Sequence, residues 1–297
     1  MRPIRSFLFV PGDSEKKLGK VAESTADAVI LDLEDAVSAP RKPLARQLVS
    51  EFIDSRAKEG GGPQLWVRIN PIDTGFALDD LAATVPALPA GVMIPKIDGP
   101  ADVLRVHHYL EALEAAHGIA TGSVQVLPVA TETAIAPFRL GDFATSGIRR
   151  LYGLTWGAED LSAALGASTN LGPNGEWANT YKLVRSMTLM GARAANVEAI
   201  ETLYVDIRDD AGLAESSRRA RAEGFSGRIA IHPGQVDTIN AAFTPSDDEI
   251  EFARRVVDAF ADDVGTVALD GKMLDLPHLN QARRVLALAG QRCDAGG

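Results

Sequence analysis

The amino-acid sequence predicts an α/β protein, a closed (β/α)8 TIM barrel followed by a C-terminal hairpin and helix that form a lid. Short apolar runs of strand type alternate with amphipathic helical stretches through eight units, the order typical of this barrel. No linker or low-complexity segment interrupts the alternation before Asp262. A doubly wound sheet is the alternative, but no predicted strand is followed by a GxGxxG turn. Eight units therefore favour closure of the barrel.

The eight predicted strands are short apolar runs of strand type, and the fifth is dense enough in apolar residues to be buried on both faces, as in a parallel sheet. They lie at residues 6–11, 28–34, 65–69, 92–97, 124–129, 150–156, 202–207 and 228–232. The stretches between them have apolar residues at helical spacing and end at glycine or polar positions. They lie at about residues 14–25, 43–58, 77–85, 103–118, 176–198, 213–223 and 250–260, and a further helical pattern begins near Glu132.

The last stretch of the chain lies outside the count of eight units. Residues 266–274 alternate around Asp270 and Gly271, a good hairpin signal, and residues 277–288 predict a short helix. The apolar residues of this tail need a partner surface, because a lone hairpin is at best marginally stable in water. We therefore expect two domains, a TIM-barrel catalytic domain at 1–264 and a C-terminal lid or extension at 265–297.

The composition excludes several classes of protein. The 297 residues carry a formal net charge of −10, and no basic stripe exists to bind nucleic acid. The single cysteine, Cys293, allows no disulfide framework, and the five histidines show neither HxH nor HExxH spacing, which argues against zinc. No apolar run is long enough for a signal segment or a membrane span. We therefore expect a cytoplasmic protein with no membrane partner.

Charged residues follow several predicted strands at the point where each strand ends. Glu132 comes after strand five and Asp160 after strand six. Because the carboxyl ends of barrel strands meet at one mouth, we expect these carboxylates to lie close together. A hard, all-oxygen pair without His or Cys selects Mg²⁺, with Mn²⁺ possible, and waters or substrate oxygens complete the coordination. The other charged or polar strand-end residues are Asp32, Glu34, Asp35, Arg68, Asn70 and Lys96.

Each strand-end residue also has a simpler interpretation when it is taken alone. Asp160 could cap a short helix, and the acids after strand two could form ion pairs with the basic residues that follow them. The joint occurrence of five such strand ends favours a functional site. Among the other residues considered, His107, His108 and His117 are expected on the surface, Trp66 and Trp156 in the core, and His232 in a structural or a ligand-binding loop.

Eight motifs, in order along the chain, resemble those of one family. They are RSFLFVPGDS, AVILDLEDAV, WVRIN, MIPKI, PVATETA, WGAEDL, RIAIHPGQV and GKMLDLP. From Arg5 to about Ala287 the chain resembles the citrate lyase β-subunit-like (CitE-like) family of the HpcH/HpaI aldolase group. The resemblance implies a Mg²⁺-dependent carbon–carbon lyase that cleaves or condenses a 3-hydroxyacyl-CoA, such as citramalyl-CoA or malyl-CoA. The products of cleavage would be acetyl-CoA and a 2-oxo acid.

The resemblance also implies roles for individual residues. Glu132 and Asp160 fall on Mg²⁺ ligands, Glu132 also borders the substrate, and Arg68 falls on a substrate-contacting arginine. Asp275 falls on an acid/base aspartate that members with a C-terminal extension supply to a neighbouring subunit. This implies a homo-oligomer, a trimer or a multiple of it, with the lid shared between subunits. The residues expected to hold Arg68 and the metal-bound waters are Asp32, Glu34, Asp35 and Lys96.

Three alternative functions remain open. The first is a citryl-specific citrate lyase β subunit, although classical β subunits tend to be shorter and can lack the extension present here. The second is a class II pyruvate aldolase, which acts on a free 2-oxo acid and needs the metal but no CoA groove. The third is a non-catalytic paralogue that binds an acyl-CoA or a partner subunit, although all four residues matched to the family's site are present. We expect the CoA nucleotide over the loops at 12–20 and 231–235.

Overall fold

The computed structural model describes residues 3–173, 175–261 and 265–290, and it contains the predicted barrel. Eight parallel strands form one sheet in the order β5-β4-β3-β2-β1-β8-β7-β6. They are β1 (Ser6–Pro11), β2 (Ala28–Asp32), β3 (Gln64–Arg68), β4 (Gly91–Ile94), β5 (Gln125–Pro128), β6 (Gly153–Thr155), β7 (Glu198–Glu201) and β8 (Gly227–Ala230). Strands β5 and β6 meet through parallel bridges from Val126 to Leu151 and from Val129 to Thr155, so the barrel is nearly closed.

Helices surround this sheet. In the described residues they are α1 (Glu15–Leu18), α2 (Lys42–Glu59), α3 (Ala77–Thr84), α4 (Pro100–Ala116), α5 (Ala158–Ala164), α6 (Asn179–Ala194), α7 (Asp210–Glu223), α8 (Val236–Phe243) and α9 (Asp247–Ala259). In α2, for example, Ala45, Val49 and Ile53 recur every four residues, so one face is buried in the core and the rest meets solvent. No described helix combines the length and the apolar run that a membrane crossing requires.

The hydrophobic core has two layers. The larger one lies between the strands and the surrounding helices. The smaller one fills the inside of the barrel, where the rings of Phe7, Trp66 and Tyr152 meet edge to face at centroid distances of 5.4 to 6.0 Å. Trp66 is fully buried, as predicted. The Tyr152 hydroxyl accepts a hydrogen bond from the Ile4 backbone at the amino end of β1, so this layer closes the lower part of the barrel.

The seventh strand was predicted at the wrong residues. It is Glu198–Glu201, and residues 202–207 form a loop at the mouth instead of a strand. The apolar pattern of that loop is misleading because Val205 is 60% and Ile207 45% exposed. The true strand buries Glu201, whose carboxylate accepts hydrogen bonds from Arg185 and Trp156. The predicted long helix at 176–198 is correspondingly shorter, Asn179–Ala194.

Three other segments differ from the prediction. Residues 14–25 hold only α1 and a short 3₁₀ helix, Val21–Glu23. The segment after Glu132 forms a 3₁₀ helix at Ala136–Thr145 rather than an α-helix. The helix that follows β8 is α8, which the prediction missed. The helix expected at 250–260 is the additional helix α9.

The tail forms the predicted hairpin and helix. Strands β9 (Thr266–Leu269) and β10 (Lys272–Asp275) pair antiparallel, and α10 (Leu276–Leu288) follows. They pack on α9 and bury Leu274. Helix α9 of the same chain therefore covers part of the apolar surface of the tail. Met273 and Leu276 stay 79% and 55% exposed. The predicted domain boundary at 264/265 stays a prediction, and Cys293 lies outside the described residues.

Candidate active site

A cavity opens at the carboxyl ends of the barrel strands and measures about 520 Å³ with its open mouth included. Its polar lining consists of Arg68, Glu132, Thr155, Glu159, Asp160 and Thr202. Its apolar lining includes Phe9, Met93, Val129, Trp156, Trp177 and Ile229. The parallel register places the ends of adjacent strands side by side, so residues far apart in sequence converge here. The mouth is where catalytic groups of such barrels lie.

Arg68 is held in one orientation by the end of the neighbouring strand. It lies opposite Asp32 in the β2–β3 register, and its Nε and Nη2 donate to the two Asp32 oxygens at 2.8 and 2.7 Å. Its Nη1 lies 3.0 Å from Oε2 of Glu34, and its plane lies 4.5 Å from the centroid of the Phe9 ring. Burial alone would lower the pKa of Arg68, but these carboxylates raise it above its usual value. The guanidinium is therefore a fixed, permanent positive charge.

Lys96 connects the acids of three segments. Its Nζ lies 2.5 Å from Glu34, 3.1 Å from Asp35 and 3.5 Å from Asp160. Burial would lower the pKa of Lys96, but the hydrogen bond to Glu34 and the surrounding carboxylates raise it. Its backbone φ is +51°, a left-handed conformation that is uncommon for a residue other than glycine. This turn directs the Lys96 backbone N–H at Oε2 of Glu132, which accepts the bond at 2.7 Å.

Glu132 is only 7% exposed. Burial raises the pKa of its carboxyl to about 8, and the negative charge of Asp160 adds to this effect. The Lys96 backbone N–H lowers the pKa but does not compensate for burial. The ionised carboxylate therefore favours a nearby cation.

The two predicted metal ligands suit Mg²⁺. Glu132 follows β5, and Asp160 lies in the first turn of α5 rather than at the end of a strand. A Cβ atom at Gly157 would lie 2.9 Å from Oε1 and Cγ of Glu132, so the absence of a side chain there keeps the carboxylate's space open. One or two carboxylates with open positions for water and substrate oxygens match the preference of Mg²⁺. Glu132 and Asp160 are the residues that would hold it.

Asp275 does not meet these residues within its own chain. It precedes α10, and its Oδ1 lies 2.5 Å from Nδ1 of His278 on the same helix. It is not among the described residues that line the cavity. Farther along α10, Arg284 donates to the backbone oxygen of Gly224, just before β8 begins. A role for Asp275 in the cavity of a neighbouring subunit stays a prediction.

The sequence missed several parts of the cavity wall. Gly157 and Thr155, on either side of Trp156, line the cavity and were not among the residues considered. Trp156 is buried as predicted, but it also lines the cavity and donates to Glu201 at 2.7 Å. The signal available in the sequence was the glycine between a strand and an acidic helix start. Such a residue leaves room next to a binding group.

Asn70 and His232 make hydrogen bonds outside the cavity wall. The Asn70 amide donates to Leu33 and Asp80 at 2.9 and 2.6 Å, which joins two loops beside the mouth. His232 is exposed, and its ring accepts from the Gly234 backbone at the start of a 3₁₀ turn.

The histidines of α4 lie outside the cavity wall. His108 and His117 are exposed, as predicted, whereas His107 is partly buried and its Nδ1 accepts from Arg150 Nε at 2.9 Å. With Glu111, His107 and His108 form the one group of three or more His, Cys, Asp or Glu ligand atoms within 4.8 Å of one another in the described chain. The bond from Arg150 uses the Nδ1 lone pair and assigns the proton of the neutral ring to Nε2, which disfavours metal binding by His107.

Comparison with known proteins identifies the family of the chain. The family model described as HpcH/HpaI aldolase/citrate lyase matches residues 5–233, and that of the C–C bond lyases of the TIM-barrel fold matches residues 184–291. Citramalyl-CoA lyase, mitochondrial, of Rattus norvegicus is 31% identical over 305 residues, which cover 97% of this chain and 86% of that protein. Citrate lyase subunit beta of Haemophilus influenzae is 32% identical over 293 residues, which cover 97% and 98%.

A solved structure extends the likeness to the whole fold. The crystal structure of CitE from Mycobacterium tuberculosis in complex with magnesium, acetoacetate and coenzyme A matches with a TM-score of 0.75 and 32% sequence identity. The match covers 98% of this chain and 100% of that one. The chain therefore belongs to the HpcH/HpaI aldolase/citrate lyase family of carbon–carbon bond lyases.

Proposed function

We propose that the protein is a Mg²⁺-dependent lyase that cleaves or condenses a 3-hydroxyacyl-CoA, either citramalyl-CoA or malyl-CoA. The observation that carries the proposal is the geometry of the mouth, where Glu132 and Asp160 border one cavity beside the fixed guanidinium of Arg68. Similarity to a citramalyl-CoA lyase and to a citrate lyase subunit beta supports the same class of reaction. Magnesium and coenzyme A in the related CitE structure support the cofactor and the substrate class.

The mouth residues divide the chemistry between the two halves of the substrate. Glu132 and Asp160 hold Mg²⁺, which when bound supplies a Lewis acid for the hydroxyl oxygen that becomes the carbonyl of the 2-oxo acid. Of the five N–H groups of the Arg68 guanidinium, two donate to Asp32, and Nη1 forms an ion pair with Glu34 at 3.0 Å, so each terminal nitrogen keeps an N–H for the substrate. These stabilise the thioester enolate that forms as the carbon–carbon bond breaks.

A proton must then reach the enolate carbon. In cleavage the carboxylate of Asp275 from a neighbouring subunit takes the proton of the hydroxyl that becomes the carbonyl, and the electron pair of the broken carbon–carbon bond moves onto the thioester half. The Asp275 carboxyl then returns this proton to the enolate carbon. The exposed side chains of Met273 and Leu276 flank Asp275 and pack against that neighbour's mouth, which excludes water. The tail from residue 265 then acts as a lid, and the active form is a homo-oligomer, a trimer by family resemblance.

The charges of the cavity support a substrate without a carboxymethyl group on its carbinol carbon. Among the described residues of the cavity wall, Arg68 is the one cation, and it already faces two carboxylates. A citryl-CoA would place an additional carboxylate near Glu132 with no cation to pair with. Citramalyl-CoA and malyl-CoA carry methyl or hydrogen at that position, which suits the apolar wall of Met93, Val129 and Ile229.

Assays with purified protein and CoA thioesters test the function. We expect Mg²⁺-dependent release of acetyl-CoA from citramalyl-CoA or malyl-CoA, abolished by EDTA, and slower release from citryl-CoA and hydroxymethylglutaryl-CoA. Cleavage of a free 2-oxo acid substrate without any CoA thioester turnover would identify a class II pyruvate aldolase instead. Binding of CoA thioesters without turnover of any of them would identify a non-catalytic paralogue. Either result refutes the proposal.

A mixing experiment tests the shared site. Asp275→Ala and Glu132→Ala are each expected to be inactive, because one lacks the acid and the other a metal ligand. After subunit exchange, mixed oligomers contain some mouths in which a wild-type Glu132 meets a wild-type Asp275 from the neighbour, so activity should partly return. Exchange shown by mass spectrometry without recovery would mean that Asp275 acts in its own subunit or does not act.

A further inference from the structure

Thr155 carries a buried hydroxyl that the protein itself does not use. Thr155 is the last residue of β6 and is 1% exposed. Its side chain lines the cavity, yet its Oγ1 has no hydrogen-bond partner among the described residues. Buried hydroxyls are normally hydrogen-bonded to the protein. Burial removes their hydrogen bonds to water, and a hydroxyl without a protein partner gains nothing in return.

Three other buried threonines of this chain follow the normal rule. The hydroxyls of Thr84 and Thr188 donate to the backbone oxygens four residues earlier, at 2.8 and 2.9 Å. The Thr131 hydroxyl accepts from the Gly157 backbone at 3.1 Å. The Tyr181 hydroxyl also lacks a partner, but Tyr181 is not part of the cavity wall. Of these two unpartnered hydroxyls, the one in the cavity wall is that of Thr155.

The register places Thr155 next to the metal-binding pair. Val129 of the neighbouring strand bridges to Thr155, Glu132 follows Val129 by three residues, and Asp160 follows Thr155 by five. The hydroxyl therefore lies deeper in the barrel than the two carboxylates, on the same side of the mouth. A 3-hydroxyacyl-CoA bound at Glu132 and Asp160 with its CoA portion directed outward would place its small-acid end toward Thr155.

We propose that Thr155 is a specificity-determining residue that donates its hydroxyl hydrogen to the carboxylate of the 2-oxo acid half of the substrate. This inference rests on the proposed function, which supplies that carboxylate. The cavity lining also includes the apolar side chains of Met93, Val129 and Ile229, and Thr202 is its other hydroxyl residue among the described residues. The Thr155 hydroxyl meets no acceptor in the described part of the protein, and a carboxylate oxygen is a strong acceptor for it.

The choice of threonine over valine supports a ligand role. Valine has nearly the same shape but no hydroxyl, so it would fill the position without an unpaired polar group. In the free protein, Thr155→Val should therefore be neutral or stabilising. In the complex it should be harmful, because the carboxylate loses its donor. A hydroxyl with a purely structural role predicts loss of stability on the same substitution.

Calorimetric titration of pyruvate and glyoxylate into Mg²⁺-loaded protein tests the inference. We expect Thr155→Val to weaken binding of one or both acids by roughly 10- to 100-fold, the range for a hydrogen bond to a charged group. Thr155→Ser keeps the donor and should bind within about threefold of wild type, since only a methyl group is lost. Thr188→Val removes an equally buried hydroxyl outside the cavity wall and serves as the matched control.

Thermal unfolding and Mg²⁺ affinity complete the test. Thr155→Val should keep or raise the melting temperature and leave Mg²⁺ affinity unchanged. Unaltered 2-oxo acid binding in Thr155→Val, or a lowered melting temperature with normal binding, would overturn the role of Thr155 and leave the proposed function standing. A wild-type protein that binds neither acid in the presence of Mg²⁺ would count against the proposed function and the inference together.

Discussion

Gly157 provides the sharpest test of the metal site, because a side chain at this position would occupy the space of the Glu132 carboxylate. Its backbone dihedral angles, φ −119° and ψ 118°, are accessible to alanine, so Gly157→Ala adds one methyl group without backbone strain. The added Cβ would lie 2.9 Å from Oε1 and Cγ of Glu132 and 3.3 Å from Cγ1 of Val129. Something must move to accommodate it.

The size of the effect follows from what holds Glu132. Ordinary contacts of a Cβ begin at 3.4 Å, so the carboxylate must retreat by about 0.5 Å. It cannot swing freely, since it is buried and its other oxygen accepts from the Lys96 backbone at 2.7 Å. Displacements of 0.5 to 1 Å in a catalytic constellation typically cost about 10- to 100-fold in rate. The loss of folding stability should stay within about 1–3 kcal/mol, the usual range for overpacking.

We therefore expect Gly157→Ala to fold, to bind Mg²⁺ roughly tenfold more weakly and to lose about 10- to 100-fold in kcat/KM. Calorimetric Mg²⁺ titration, the acetyl-CoA release assay and urea unfolding measure the three quantities. Gly141→Ala is the matched control, because an added Cβ at Gly141 meets nothing within 4 Å. Wild-type Mg²⁺ affinity in Gly157→Ala would refute the assignment of Glu132 as a ligand confined by this glycine.

Three further predictions concern the site and the fold. Glu132→Ala and Asp160→Ala should each abolish Mg²⁺ binding in calorimetry with the far-UV spectrum unchanged; unaltered affinity in either would remove that residue from the metal site. Arg68→Lys should lower activity by roughly 100-fold, because lysine keeps the charge but loses the planar fork, and a near-normal rate would make Arg68 structural. Burial would raise the pKa of Glu114, but the hydrogen bonds that Arg150 donates to its carboxylate lower the pKa. The Glu114–Arg150 ion pair therefore stabilises the fold at pH above about 4.5, and this stabilisation is lost as the pH falls. Glu114→Gln should therefore unfold about 3–5 kcal/mol more easily in urea at pH 7 and show a weaker acid dependence; identical pH profiles would contradict this.

The sequence predicted the charged groups of the mouth because a parallel barrel brings the ends of all its strands to one edge. Asp32 and Arg68 end adjacent strands, and the register makes them direct neighbours. Glu132 follows β5, and Asp160 lies in the first turn of the helix after β6. Four of these groups could therefore be placed together without knowledge of any loop conformation.

What the sequence could not predict depends on contacts rather than on pattern. The seventh strand was displaced because the exposed loop residues Val205 and Ile207 alternate as a strand does, while the real strand ends in Glu201. The burial of Glu201 becomes understandable only once Arg185 and Trp156 are seen to donate to it. Exposure and pairing are tertiary properties that override local propensity.

The charge balance of the mouth connects the predicted network with the proposed cofactor. Its five predicted acids are Asp32, Glu34, Asp35, Glu132 and Asp160, and its two bases are Arg68 and Lys96. Arg68 faces Asp32 and Glu34, and Lys96 faces Glu34, Asp35 and, at 3.5 Å, Asp160. Glu132 differs from these acids, because no cationic side chain of the described residues lies within 4.0 Å of it and its hydrogen bond comes from a neutral backbone N–H. Burial therefore raises the pKa of its carboxyl to about 8. A divalent cation bound by Glu132 and Asp160 would supply the positive charge that the ion-pair network does not give to Glu132.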